Sequence, residues 1–190
     1  MYLEIKKINS EIIKISQNYF GDIFCKNLKK EKPGTYNESL VARFLIEQNK
    51  NKYSSISHKK NLVFIGTNNS KIGVDIEIFK KRDENLLEKF SEEEHRNLGG
   101  KKLLQGAKDP YGKTWKNFYI LWTAKESIIK YENLVLDNIE EIILINSENI
   151  NLEINNIIFN KKLLLKFGDK NFEVYSGNKV DLYYSVCVKS

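Results

Sequence analysis

Apolar positions recur at helical spacing over residues 10–24 and again over 38–48 (ESLVARFLIEQ), which predicts two early helices. Pro33 and Gly34 break the pattern between them, so Lys29, Lys30 and Lys32 are expected on an exposed basic connection. Two short apolar runs follow, 62–65 and 72–78, separated by Asn68, Asn69 and Ser70, and they read as a hairpin. Ser91 followed by Glu92, Glu93 and Glu94 has the composition of a helix start, with Gly99 and Gly100 ending that helix. The Lys- and Gly-rich stretch up to Gly112 reads as a mobile loop before a long helix from about Thr114 to Tyr131. Beyond Ile139 the pattern changes to strands: 141–146, 151–159, 163–167, 172–176 and 181–190. Strand–helix alternation is missing, so the expected class is α+β rather than a βαβ series. A faint internal echo, NESLVARFL against KESIIKYENL and NLVFIGT against DLYYSVCV, suggests two related halves.

At 190 residues the chain can bury one substantial core or two small packed halves. Its 41% hydrophobic and 12% aromatic content excludes a disordered chain. No apolar run approaches the ~18 residues that span a bilayer, and the opening MYLEIKKINSEIIKIS has no continuous signal-peptide core, so a cytoplasmic protein without membrane association is expected. Cys25 and Cys187 lie far apart without metal-ligand spacing and read as thiols rather than a disulfide or zinc site. The net charge of +6 implies attraction to anions: nucleic acid, a membrane surface, a phosphate cofactor or an acidic protein. Charge alone does not choose among them.

Chemistry concentrates in two segments. In IGVDIE, Asp75 and Glu77 at spacing two share one face of an extended strand. In LWTAKESIIK, Glu126 and Lys130 at spacing four are neighbours on a helix. Three carboxylates and an ammonium suit a magnesium or manganese centre that handles phosphate. Taken singly, each pair has a plainer reading, an edge strand showing acids to water and a surface ion pair. Two features weigh against it: Asp75 sits between Val74 and Ile76 just beyond Gly73, and Glu126 shares a helix face with Trp122 and Ile129. A partly buried acid needs a partner. His58, among Ser57, Lys59 and Lys60, lies in a cluster of donors suited to phosphate, whereas His95 reads as a surface helix residue.

Read together, SISHKKNLVFIGTNNSKIGVDIE, then FSEEE, then LWTAKESIIK resemble the 4'-phosphopantetheinyl transferases, in particular the two-halved surfactin-synthetase-activating type. That family shows a Ser-His motif, a G-[IV]-D-[IV]-E strand and a W-[ST]-x-K-E-[AS]-x-x-K helix, all present here in order. The resemblance spans roughly Ser55 to Lys130, and DLYYSVCV is similar to the family's closing strand. It implies two similar α+β halves in a pseudo-twofold arrangement, residues 1–78 and 79–190, with the active site between them. The implied reaction moves the 4'-phosphopantetheine of coenzyme A onto a serine of an apo acyl or peptidyl carrier protein and releases 3',5'-ADP.

By the same resemblance Asp75, Glu77 and Glu126 hold magnesium, or manganese, and Lys130 neutralises phosphate charge. Glu126 is the preferred base, directly or through water, with Glu77 as the alternative, and Asp75 counts with Glu126 and Lys130 among the catalytic residues. Ser57 and His58 contact coenzyme phosphate, Lys125 assists at the coenzyme, and Arg43 with Lys29, Lys30 and Lys32 serves the adenosine 3'-phosphate. Carrier proteins are acidic, which gives the positive charge a use; no nucleic-acid partner is expected, and a monomer can build the site between its own halves. Lys59 departs from the family's usual Ser or Thr, NKNKYSS replaces an upstream Gly-Lys-Pro segment, and ENLVLD replaces a Gly-x-Gly-Leu after the helix. Two other readings stay open: a catalytically impaired relative that only binds carrier protein or coenzyme A, and a basic nucleic-acid-binding protein, for which no motif is present.

Overall fold

A computed structural model describes residues 1–99 and 113–188, Lys113 by its backbone alone. The expected loop up to Gly112 lies outside the described residues from residue 100 on. The chain runs β1 (Tyr2–Lys7), α1 (Ser10–Glu31), α2 (Tyr36–Asn49), β2 (Tyr53–Lys59), β3 (Leu62–Asn68), β4 (Ile72–Ile78), α3 (Glu92–Asn97), α4 (Lys113–Glu132), β5 (Ile143–Ile154), β6 (Ile157–Phe167), β7 (Lys170–Lys179) and β8 (Leu182–Val188). Among the described residues the strands form two antiparallel sheets, ordered β1-β3-β2 and β4-β8-β7-β6-β5. This is the α+β architecture expected from the sequence. No helix in the described residues is long and apolar enough to cross a membrane. Both cysteines are free.

The period-two pattern of β3 decides the layering. Val63 and Ile65 point to one face and pack with Ile12, Val41, Ala42 and Leu45 of α1 and α2. Phe64 points to the other face and joins Leu3 with Ile72, Val74, Ile76, Phe159, Tyr184 and Val186 between the sheets. On the far face of the second sheet, α4 buries Phe118, Tyr119, Leu121, Ala124 and Ile128 against residues such as Leu163, Leu165 and Val174. The molecule is therefore layered helix, sheet, sheet, helix.

Four sequence expectations change. The run 72–78 does not form a hairpin with 62–65: β3 turns back on β2, while β4 leaves for the second sheet and pairs with β8. The run 151–159 is not one strand, because Asn155 and Asn156, with φ of 51° and 65°, make a two-residue turn between β5 and β6. Lys29 and Lys30 stand in the last turn of α1, where their charge complements the helix dipole, and only Lys32 follows it as the cap. That helix runs past Phe24 because Gly21, at φ 77°, absorbs a kink that a residue with a Cβ would resist.

The internal echo has a topological counterpart. In each sheet the last strand in chain order, β3 or β8, lies between the first strand and its hairpin partner, giving β1-β3-β2 and β4-β8-β7. The echoed segments are α2 with α4 and β3 with β8, which occupy corresponding places. The hairpin β5–β6 extends the second sheet alone.

Candidate active site

Where β4 passes under α4, Gly73 leaves no room for a side chain. A Cβ there would overlap the Ser127 carbonyl and come within 2.8 Å of the Tyr131 amide nitrogen. Thr123 of α4 is also tied to Ser185 of β8 by a buried hydroxyl contact of 2.8 Å, and Ser185 in turn to Ser176 of β7 at 2.8 Å. With the helix held this close, the face of β4 carrying Gly73, Asp75 and Glu77 meets the helix face carrying Glu126 and Lys130.

Asp75 is 5% exposed, and its Oδ1 accepts from Ser57 Oγ and from Lys130 Nζ, each at 2.7 Å. Its Oδ2 is buried without a hydrogen-bond partner. Glu77 has both oxygens engaged: Lys59 Nζ lies 3.0 Å from Oε1 and 2.8 Å from Oε2, and Arg82 Nη2 lies 3.0 Å from Oε2. Arg82 also donates through Nε to the Tyr119 hydroxyl at 3.2 Å and lies 5.6 and 5.7 Å from the ring centroids of Tyr119 and Trp122. The half-buried Glu126 carboxyl is pushed up to about 7, first by burial and then by the negative charge of Asp75; Glu77 adds to this, while Lys130 and Lys59 act against it.

The far side of β4 is joined by side chains. Ser55 Oγ accepts from the Val74 amide at 3.0 Å and Ser57 Oγ from the Ile76 amide at 3.3 Å, taking the place of a neighbouring strand's carbonyls. Because β2 alternates, Ser55 and Ser57 face β4, while Ser54, Ile56 and His58 face the other way. Those three line a groove of about 490 Å³ with Phe20, Phe24, Lys32, Ser39 and Arg43. Ser57 and His58 therefore serve adjoining compartments, the acidic cluster and a basic groove.

The structure brings Ser57 and Lys130 onto Asp75, pairs Glu77 instead with Lys59 and Arg82, and holds Glu126 within electrostatic reach of both acids. It gathers Lys32, Arg43 and His58 in the groove. Lys30 instead lines a separate shallow groove with Ile23, Lys26, Asn27 and Lys29. Lys125 is turned away from the cluster: successive helical residues point about 100° apart, so with Glu126 aimed at β4 its neighbour enters the core. There the Lys125 ammonium, 1% exposed, pairs with Glu94 at 2.7 Å over the Phe90 ring, and burial lowers its pKa. Glu94 accepts as well from the amides of Leu144 and Ser91. His95, expected on the surface, is fully buried.

The sequence places Lys59 among phosphate donors rather than on Glu77 and does not single out Arg82. The signal for Arg82 was the aromatic pair Tyr119 and Trp122 at spacing three, on the same helix as Glu126.

A divalent cation can be tested against this donor set. Asp75 offers a buried oxygen with no partner, and Glu126 is a carboxyl that burial, and after it the charge of Asp75, pushes up to about 7. Hard carboxylate oxygens of this kind fit magnesium or manganese. Glu77, with both oxygens on cations, does not join them as arranged. Consistently, no group of three or more His, Cys, Asp or Glu among the described residues is set to hold a metal ion.

A family model for the 4'-phosphopantetheinyl transferase superfamily matches residues 71–182, from the residue before β4 to the first residue of β8. Comparison with curated proteins finds no match. The matched segment covers more than half of the chain and contains both elements that converge at Gly73, along with Arg82 and the Glu94–Lys125 pair. The basic groove, by contrast, comes from the part before it. Fold, converging acidic strand and helix, and family match agree, and the chain belongs to the 4'-phosphopantetheinyl transferase superfamily.

Proposed function

We propose that the protein transfers the 4'-phosphopantetheine of coenzyme A to a serine hydroxyl of an acidic apo carrier protein. The observation that carries the reading is the junction of the two compartments: a carboxylate–ammonium cluster on β4 and α4 beside a groove bearing Lys32, Arg43 and His58. Coenzyme A has the matching form, a diphosphate joined to an adenosine 3'-phosphate. Arg43, Lys32 and His58 would take the nucleotide phosphate, with Phe20 and Phe24 supplying apolar walls.

In the reaction the carrier serine oxygen forms a bond to the pantetheine-side phosphorus as the bond from that phosphorus to the oxygen of 3',5'-ADP breaks. Lys130, held by Asp75, offsets charge on the phosphoryl oxygens. Glu126 accepts the serine proton, directly or through a water molecule. A magnesium or manganese ion held by Asp75 and Glu126 would supply further charge neutralisation at the diphosphate. Ser57 fixes Asp75 through its 2.7 Å hydrogen bond.

Incubating the chain with magnesium, coenzyme A and a panel of apo carrier proteins tests this directly by mass spectrometry. The expected result is a gain of one phosphopantetheine on a carrier, lost in Asp75→Ala and Glu126→Ala by a factor of at least ~100. Coenzyme A binding without transfer to any carrier would overturn the enzymatic reading.

A further inference from the structure

We infer that Lys59 is a displaceable counter-ion that sets how tightly this site takes a divalent cation, by holding Glu77 until the cation displaces it; the inference rests on the metal-assisted transferase reading above. The asymmetry between the two strand acids carries it. Asp75 keeps Lys130 on Oδ1 and still has Oδ2 to offer, so it can take a cation without giving up its ion pair. Glu77 has no such spare oxygen, since Lys59 spans Oε1 and Oε2 and Arg82 sits on Oε2.

The two cations on Glu77 differ in how firmly they are held. Arg82 is anchored apart from Glu77, by the Tyr119 hydroxyl and by two aromatic rings. Lys59 is a single ammonium on a flexible stem at the end of β2, and its side chain is 35% exposed. Exposed to water, its charge can leave the carboxylate at low cost, whereas the arginine cannot move without losing its stacking. An incoming cation seated on Asp75 and Glu126 would recruit Glu77 by expelling Lys59, because a metal ion and an ammonium on one carboxylate repel each other and compete for the same lone pairs. A short uncharged side chain at this place would leave Glu77 half-open from the start. The lysine thus weakens cation binding while keeping the acidic cluster neutralised when no cation is there.

Titrating the full chain with Mn²⁺, and following the free ion by electron paramagnetic resonance, reads this without any dependence on turnover. Lys59→Met keeps the aliphatic stem and removes the charge, and Lys59→Thr provides a strand-favouring alternative. Circular dichroism checks the fold of each. Both folded variants are expected to bind Mn²⁺ about 2- to 5-fold more tightly than the native chain, the scale of a partly exposed ion pair. In a Glu77→Gln background the same substitutions should give a clearly smaller gain, since only the longer-range repulsion between the Lys59 charge and the cation then remains. Native binding that Asp75→Asn abolishes, with unchanged or weaker affinity in the Lys59 variants, would overturn this inference and leave the metal-assisted reading standing. Absence of any Mn²⁺ binding sensitive to Asp75→Asn would overturn both.

Discussion

With its carboxyl pushed up to about 7 by burial and by Asp75 and Glu77, Glu126 keeps a proton in the folded chain that the unfolded chain loses near 4.5. Between those values the native state binds more protons, so this group's contribution to stability is whole below about pH 4.5 and is lost as pH rises through about 7. Urea unfolding in metal-free buffer should therefore show a pH-dependent decline across that window which Glu126→Gln removes. The variant is expected to be the more stable protein at pH 8. A native chain with an unfolding midpoint flat from pH 5 to 8, like that of the variant, would contradict the environment described for Glu126. At this scale the sequence was readable where one element sufficed: spacing two on a strand and spacing four on a helix correctly put Asp75 beside Glu77, and Glu126 beside Lys130, on common faces. It was unreadable where a partner came from elsewhere. Nothing in the local sequence says that Lys125 pairs with Glu94 of another helix, that His95 is buried, or that Arg82 closes on Glu77.

The crossing of β4 and α4 is set at a single contact. Gly73→Ala should force the helix outward, because the added methyl meets backbone at Ser127 and Tyr131 rather than a yielding side chain. A loss of about 3 kcal/mol in urea unfolding is expected, the upper range for overpacking, with weakened coenzyme A binding in the fraction that folds. Unchanged stability would show that α4 can stand further from β4 than described. Helices and strands were mostly legible from period alone, and Ser91 caps its helix as the composition implied, with Glu94 completing a capping box. Pairing was less so. The run 72–78 looks like the return limb of a hairpin because its apolar pattern and preceding turn residues are those of one. Its partner is the last strand of the described chain, a choice made by tertiary packing that local sequence does not encode. In the same way Asn155 and Asn156 hide a turn inside an apolar-alternating run, since asparagine adopts the left-handed region without the glycine that flags it.

Across the whole molecule the +6 charge gives long-range attraction toward acidic partners. Association with an acidic carrier protein should accordingly slow by at least ~10-fold in stopped-flow experiments as salt rises from 20 to 200 mM. An association rate independent of ionic strength would remove steering from the proposed function. The internal echo, two brief matches in the sequence, becomes informative only with the sheets in view, where the echoed segments take equivalent positions. The join between the sheets has a consequence of its own. A strand at the border of a sheet ordinarily presents a row of free amides that another chain can extend into a fibre. On β4 the hydroxyls of Ser55 and Ser57 occupy the amides of Val74 and Ile76, so the border carrying Asp75 and Glu77 is closed to strand addition by two small side chains. Solubility of the folded chain and the aim of Asp75 thus depend in part on the same serine.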